Sequence, residues 1–127
     1  MGLPRVLHVE DDPDIREIAL IALETVGGLE VAQCGSGQEA LARAPELEPG
    51  LFLLDVMMPG MNGEETLLAL RAIPQFANTP AIFMTAKAQP TEVARLRDLG
   101  ALEVITKPFD PMTLADQLLE IWNRHTG

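Results

Sequence analysis

Five residues of this 127-residue chain stand out for the chemistry they could do together: Glu10, Asp11, Asp55, Thr85 and Lys107. Each ends or directly follows a short run rich in apolar residues, at 6–9, 51–54, 81–84 and 102–106. Three carboxylates brought within a few ångströms repel one another unless a cation neutralises them. Hard oxygen ligands with open positions suit Mg²⁺, which keeps several waters and also engages a phosphate. A strand-end acid such as Asp55 can hold an ion of that kind or act as a nucleophile. A lysine opposite the acids can pair with Asp55 at rest or with a phosphoryl oxygen later. A threonine hydroxyl can donate to another such oxygen. Taken alone, Asp55 reads first as an acid that merely ends a strand and caps a turn. The other four residues are what point to chemistry.

The elements that position them are legible from hydrophobic patterning. Residues 51–63 read LFLLDVMMPGMNG. Four apolar residues precede the acid, and Pro59, Gly60, Asn62 and Gly63 supply turn chemistry after it. Such a run suits a strand buried on both faces. Residues 6–9 form a first strand carrying His8, which reads as a packed residue rather than a ligand because no second His or Cys is near it in sequence. Asp12 and Pro13 read as cap and first turn of a helix, so Asp12 is assigned to capping and not to metal binding. Ile15, Ile18, Ala19, Ala22, Leu23 and Val26 give that helix its apolar stripe, and Gly27–Gly28 stop it.

Residues 29–34 read as an edge strand. Ser36 and Glu39 have capping-box spacing for a short helix that Pro45, Pro49 and Gly50 close. Asn62 caps a helix through Leu67, Leu68 and Leu70 that Pro74 ends. Residues 81–84 are a buried strand followed by Thr85, Ala86 and Lys87. A helix beginning near Pro90 carries Val93, Leu96 and Leu99 and stops at Gly100. Residues 102–106 form the last strand, with Glu103 marking an edge. Asp110–Pro111 repeat the cap-then-proline start of a final helix whose buried stripe is Leu114, Leu118, Ile121 and Trp122.

The order is βα repeated five times. Right-handed crossovers place helices on both faces of a parallel sheet. The expected fold is α/β and doubly wound, a flavodoxin-like five-stranded sheet of order 2-1-3-4-5, with one domain over 1–127 and its elements between about 5 and 124. Ligands of such sheets bind at the carboxyl ends of the strands, where the five residues converge.

Charge and composition narrow the function. Nineteen acids against nine bases give a formal net charge of −10, opposite to the basic footprint of nucleic-acid binding and to adhesion on anionic lipid. No apolar run approaches a membrane span. The single cysteine, Cys34, permits no internal disulfide and fits a reducing cytoplasm, where it reads as a small buried strand residue.

Four pieces in order, VEDD at 9–12, LLDVMMPGMNG at 53–63, MTA at 84–86 and TKPF at 106–109, make the chain resemble the CheY-like receiver domain of two-component response regulators over nearly its whole length. The resemblance implies that Asp55 is the phosphoacceptor. It implies that Asp11 ligates Mg²⁺ (or Mn²⁺) directly, Glu10 through water, and Met57 by its backbone carbonyl. Thr85 follows the phosphoryl group, Ala86 leaves room for it, Lys107 pairs with it, and the Lys107–Pro108 bond is cis. Lys87 reads as a solvated loop lysine.

The implied function is a phosphorylation switch in a phosphorelay. The phosphoryl group comes from a histidine kinase or histidine phosphotransfer protein, and the domain catalyses only its own phosphorylation and dephosphorylation. The signal leaves for a downstream protein or effector domain through the fourth helix, fifth strand and fifth helix. Where much of the family has an aromatic residue three before the lysine, this chain has Val104. Two other readings are a receiver-like module that is never phosphorylated and an aspartyl-phosphate phosphatase of the haloacid dehalogenase type. The phosphatase requires a second Asp where Met57 stands. A stand-alone regulator and a receiver within a longer protein are both compatible with the chain.

Overall fold

Leu51–Asp55 forms a strand, β3, in which every residue is buried. The computed structural model describes residues 3–126. Around β3 lie β1 (Arg5–Val9), β2 (Glu30–Cys34), β4 (Ala81–Thr85) and β5 (Glu103–Thr106), all parallel in the order β2-β1-β3-β4-β5. The crossovers are α1 (Pro13–Leu20), α2 (Gly37–Leu47), α3 (Gly63–Arg71) and α4 (Pro90–Asp98), and α5 (Leu114–Thr126) comes after β5. This is the expected α/β sheet, with β2 and β5 at its edges.

Alternation along β3 divides the interior in two. Phe52 and Leu54 pack with Ala40, Ala44, Leu67, Leu70 and Leu96 of α2, α3 and α4. Leu51 and Leu53 pack with Ala22, Leu23, Leu114, Leu118 and Ile121 on the other face. A buried aromatic pair, Phe52 and Phe76, meets edge to face with ring centres 5.5 Å apart, the arrangement that ring quadrupoles favour.

Caps locate the helix starts. The Asp12 carboxylate accepts from the Asp14 amide at 2.8 Å and the Ile15 amide at 3.4 Å. Asn62 and Glu65 form a complete capping box at α3. At α2 only half of the expected box forms. Ser36 Oγ accepts from the Glu39 amide, but the Glu39 carboxylate reaches one residue further back, to the Gly35 amide.

Several elements differ from the sequence reading. Pro45 does not close α2 but lies inside it, and the helix ends at Leu47 with Glu48 in the left-handed region. Proline removes a single amide donor; the helix stops instead just before Pro49 and Gly50, and the Arg5 guanidinium donates to Leu47 O at its end. After α1 the chain widens into a π-helical segment, Ile21–Val26. That change of period turns Val26 outward to 44% exposure, while Ile18 just before it is 46% exposed, so neither belongs to the core stripe. The last helix begins at Leu114, later than the Asp110–Pro111 signal. The Asp110 carboxylate caps a turn by accepting from the Met112 amide, and Asp110 O accepts from Leu114 N as α5 starts.

Candidate functional site

The carboxyl ends of β1, β3, β4 and β5 share one rim of the sheet, and the five residues picked out by type meet there. One carboxylate oxygen each from Glu10, Asp11 and Asp55 lies within 4.8 Å of the others. Lys107 Nζ stands 2.8 Å from Glu10 Oε1 and 2.9 Å from Asp55 Oδ1. Glu10, Asp55 and Thr85 are buried, and Asp11 is half-buried. Thr85 Oγ1 accepts from the Lys87 amide at 3.1 Å. The Lys107–Pro108 peptide is cis. Met57 is 68% exposed, and Ala86 and Lys87 are also at the surface.

Burial raises the Glu10 carboxyl to about 7 against the hydrogen bond from Lys107, with the charge of Asp55 adding to the rise. Burial works against the Lys107 ammonium too, but its hydrogen bonds to Glu10 and Asp55 prevail and hold it above its ordinary value. One ammonium therefore shares two carboxylates while a third stands beside them. The donor set is all carboxylate oxygen, with no thiol or imidazole in the cluster, which fits a hard divalent cation and not a soft one.

His8 is packed inside the sheet, as expected of a strand histidine with no second His or Cys near it in sequence. It is fully buried, and its Nδ1 accepts from Gln33 Nε2 at 3.1 Å. That bond leaves the proton on Nε2, which has no partner among the described residues. Burial, with Lys107 and Arg16 nearby, holds its pKa down at about 3, so the ring is neutral. Nothing in the local sequence signals its partner, because Gln33 lies on the neighbouring strand. Asp12 is used as a cap, as its position before Pro13 implies. An apolar groove of about 360 Å³ opens beside Lys107, lined by Ile15, Ile18, Ala86, Pro108, Phe109 and Pro111. The helical spacing alone places these two isoleucines in the core stripe.

A doubly wound sheet with an acid triad and a lysine at this rim defines a class, and comparison with known proteins agrees on which. Residues 6–119 match the family model described as the response regulator receiver domain. The chain belongs to that family, the phosphorylation-dependent switch domains of two-component signalling. It is 39% identical to the DNA-binding response regulator MtrA of Mycolicibacterium smegmatis over 87% of this chain and 46% of that protein. To the phosphate regulon transcriptional regulatory protein PhoB of Pseudomonas aeruginosa it is 34% identical, over 94% of this chain and 52% of that protein. The chain thus spans about half the length of these curated relatives. Among solved structures, the chemotaxis protein CheY4 of Vibrio cholerae superposes with a TM-score of 0.87 at 32% identity, covering 94% of this chain and 99% of that one. Among the described residues no helix is long and apolar enough to cross a membrane.

Proposed function

We propose that Asp55 is the residue phosphorylated, and that the chain's own side chains promote the transfer. The observation that carries this is the placement of Asp55 within 4.8 Å of two other carboxylates and 2.9 Å from Lys107. A carboxylate oxygen of Asp55 attacks phosphorus, the phosphorus–nitrogen bond of a phosphohistidine breaks, and the imidazole leaves with the electron pair. The product is an acyl phosphate on Asp55. Lys107 exchanges its contact with Asp55 for a phosphoryl oxygen, and Thr85 Oγ1 donates to another. Ala86 at the surface leaves space for the group. Asp11 and Asp55 directly, Glu10 through water and the Met57 carbonyl would hold Mg²⁺ or Mn²⁺, which when bound offsets charge on the transferring group. The domain acts on itself and turns over no separate substrate.

The phosphodonor on this reading is a histidine kinase or histidine phosphotransfer protein in the cytoplasm. It must bring its imidazole to within bonding reach of Asp55, and the groove beside Lys107 offers it an apolar seat. Output passes through α4, β5 and α5 to a downstream protein or effector domain. The receiver domain itself contacts neither nucleic acid nor membrane on this reading, in keeping with the chain's net charge of −10. Intact-mass measurement after acetyl phosphate treatment tests the assignment. The expected result is one added phosphoryl group that requires a divalent cation and is absent from Asp55→Asn. Undiminished labelling of Asp55→Asn rejects it.

A further inference from the structure

The turn between β1 and α1 leaves two carbonyls without a place in either element. The Glu10 amide makes the last tie to the sheet, donating to Cys34 O at 3.1 Å. Asp12 O accepts the first α1 bond, from the Arg16 amide at 3.0 Å. Between them stand Glu10 O and Asp11 O. Both accept from the same nitrogen, Arg16 Nη1, at 2.7 and 3.1 Å. Arg16 is half-buried and held in turn: Gln33 Nε2 on β2 donates to its carbonyl at 2.7 Å. Gly35 leaves room for the guanidinium, since a β-carbon there would stand 3.2 Å from Nη1.

We propose that Arg16 is a positioning residue for the cation site. It clamps the backbone of the two residues whose carboxylates must be held close to Asp55. The inference rests on the cation-binding reading given under Proposed function. Three carboxylates within 4.8 Å push one another apart. Two of them sit on consecutive residues of a turn, so their convergence depends on the backbone of that turn staying in place. A charged donor shared by both carbonyls is a strong restraint. Partners that orient metal ligands typically account for about 10–100-fold in metal affinity.

A purely electrostatic role for Arg16 makes the opposite prediction. A cation near a cation site weakens binding, so removing its charge should tighten binding. A purely structural role lowers the melting temperature and leaves the affinity of the folded variant unchanged. The test is titration with Mn²⁺, followed by the electron paramagnetic resonance of the free ion, on the parent, Arg16→Met and Gly35→Val. Thermal unfolding of each accompanies it. Arg16→Met is expected to bind about 10–100-fold more weakly than the parent. Gly35→Val keeps the charge but crowds the guanidinium, and is expected to bind more weakly too. Parent-like or tighter binding by folded Arg16→Met overturns the role of Arg16 alone. If Arg16→Met does not fold, Gly35→Val decides, and parent-like affinity in it overturns the proposal. No Mn²⁺ binding by the parent overturns the cation-site reading itself, and this inference with it.

Discussion

Gly63 and Asp55 are packed so closely that a β-carbon on Gly63 would stand 2.1 Å from the Asp55 carbonyl oxygen. Gly63 is the first residue of α3, and its amide donates to Val56 O at 3.0 Å. The absence of a side chain therefore lets α3 start against the end of β3, directly behind Asp55. Gly63→Ala must move either the helix or the strand end. Overpacking of this kind costs about 1–3 kcal/mol, and denaturant unfolding should show a loss in that range. The rate of labelling by acetyl phosphate should fall as well, because Asp55 shifts relative to Lys107. Parent-like stability and labelling together would show that the contact is relieved at no consequence to the site.

His8 and Glu10 make opposite contributions to stability against pH in the metal-free protein. The His8 pKa falls from 6.5 unfolded to about 3 folded. Between those values the unfolded chain binds the extra proton, so this group adds stability as pH rises from 3 to 6.5. The Glu10 pKa rises from 4.5 unfolded to about 7 folded. There the native state binds the extra proton, so this group removes stability as pH rises from 4.5 to 7. Each contributes a slope of about 1.4 kcal/mol per pH unit, and the two offset one another between pH 4.5 and 6.5. His8→Leu removes one side of the balance. Unfolding free energies measured with a chelator present should fall with rising pH across that window relative to the parent. A variant profile parallel to that of the parent contradicts the buried, neutral state of His8.

How much of the molecule is legible in its sequence depends on how local each signal is. The alternating strands and helices follow from apolar runs and turn residues, each readable within a few positions, while the strand order, and with it the converging rim, rests on the common arrangement of five-stranded doubly wound sheets. Caps at Asp12 and Asn62 are equally local. Pro45 reads as a stop because proline usually is one, whereas α2 runs on to Leu47, just before Pro49 and Gly50, and the Leu47 carbonyl is taken up by Arg5, 42 residues away in sequence. Val26 falls on the core stripe by a 3.6-residue period, which the π-helical segment at Ile21–Val26 interrupts, whereas Ile18, before that segment, lines the apolar groove beside Lys107. Arg16 has the look of an ordinary polar position on an amphipathic helix. Its role lies in two turn carbonyls that leave no trace in residue type. Side-chain chemistry is thus readable, and backbone hydrogen bonding at the turns is not.

Persistence of the phosphoryl group should be set by Met57 and Lys87. In receiver domains the residues two after the acceptor and two after the threonine flank the path of the attacking water. Here the first is an apolar side chain 68% exposed, and the second is an exposed amine. Neither offers a carboxylate or carboxamide to orient a water molecule. Slow self-dephosphorylation is expected. Both positions are at the surface, so Met57→Asn combined with Lys87→Glu should leave the fold intact. It should hasten loss of the phosphoryl group at least about tenfold, short of the roughly 10²–10⁴-fold that a fully placed acid–base group supplies. Decay monitored by mass spectrometry decides, and a double variant no faster than the parent removes these positions from the account.

Thr85 is the residue expected to carry the signal away from Asp55. Val104 stands where an aromatic side chain would swing inward. It is half-buried against the α2–α3–α4 side of the core, and a β-branched side chain is stiff at χ1. Thr85 is already tied to the next loop, because its Oγ1 accepts from the Lys87 amide at 3.1 Å. Drawing that hydroxyl toward a phosphoryl oxygen pulls on the Lys87 backbone, and with it the segment that enters α4 at Pro90. A ligand shifts such an equilibrium only by its differential affinity for the two states. Amide chemical shifts recorded with and without beryllofluoride, a phosphoryl mimic, should therefore change strongly over residues 85–90 in the parent. In Thr85→Ala the same reagent should still perturb the amides near Asp55, but the changes across that loop should collapse. Equal loop changes in Thr85→Ala would mean that the signal leaves the site by another route, and Thr85 would lose its place as the coupling residue.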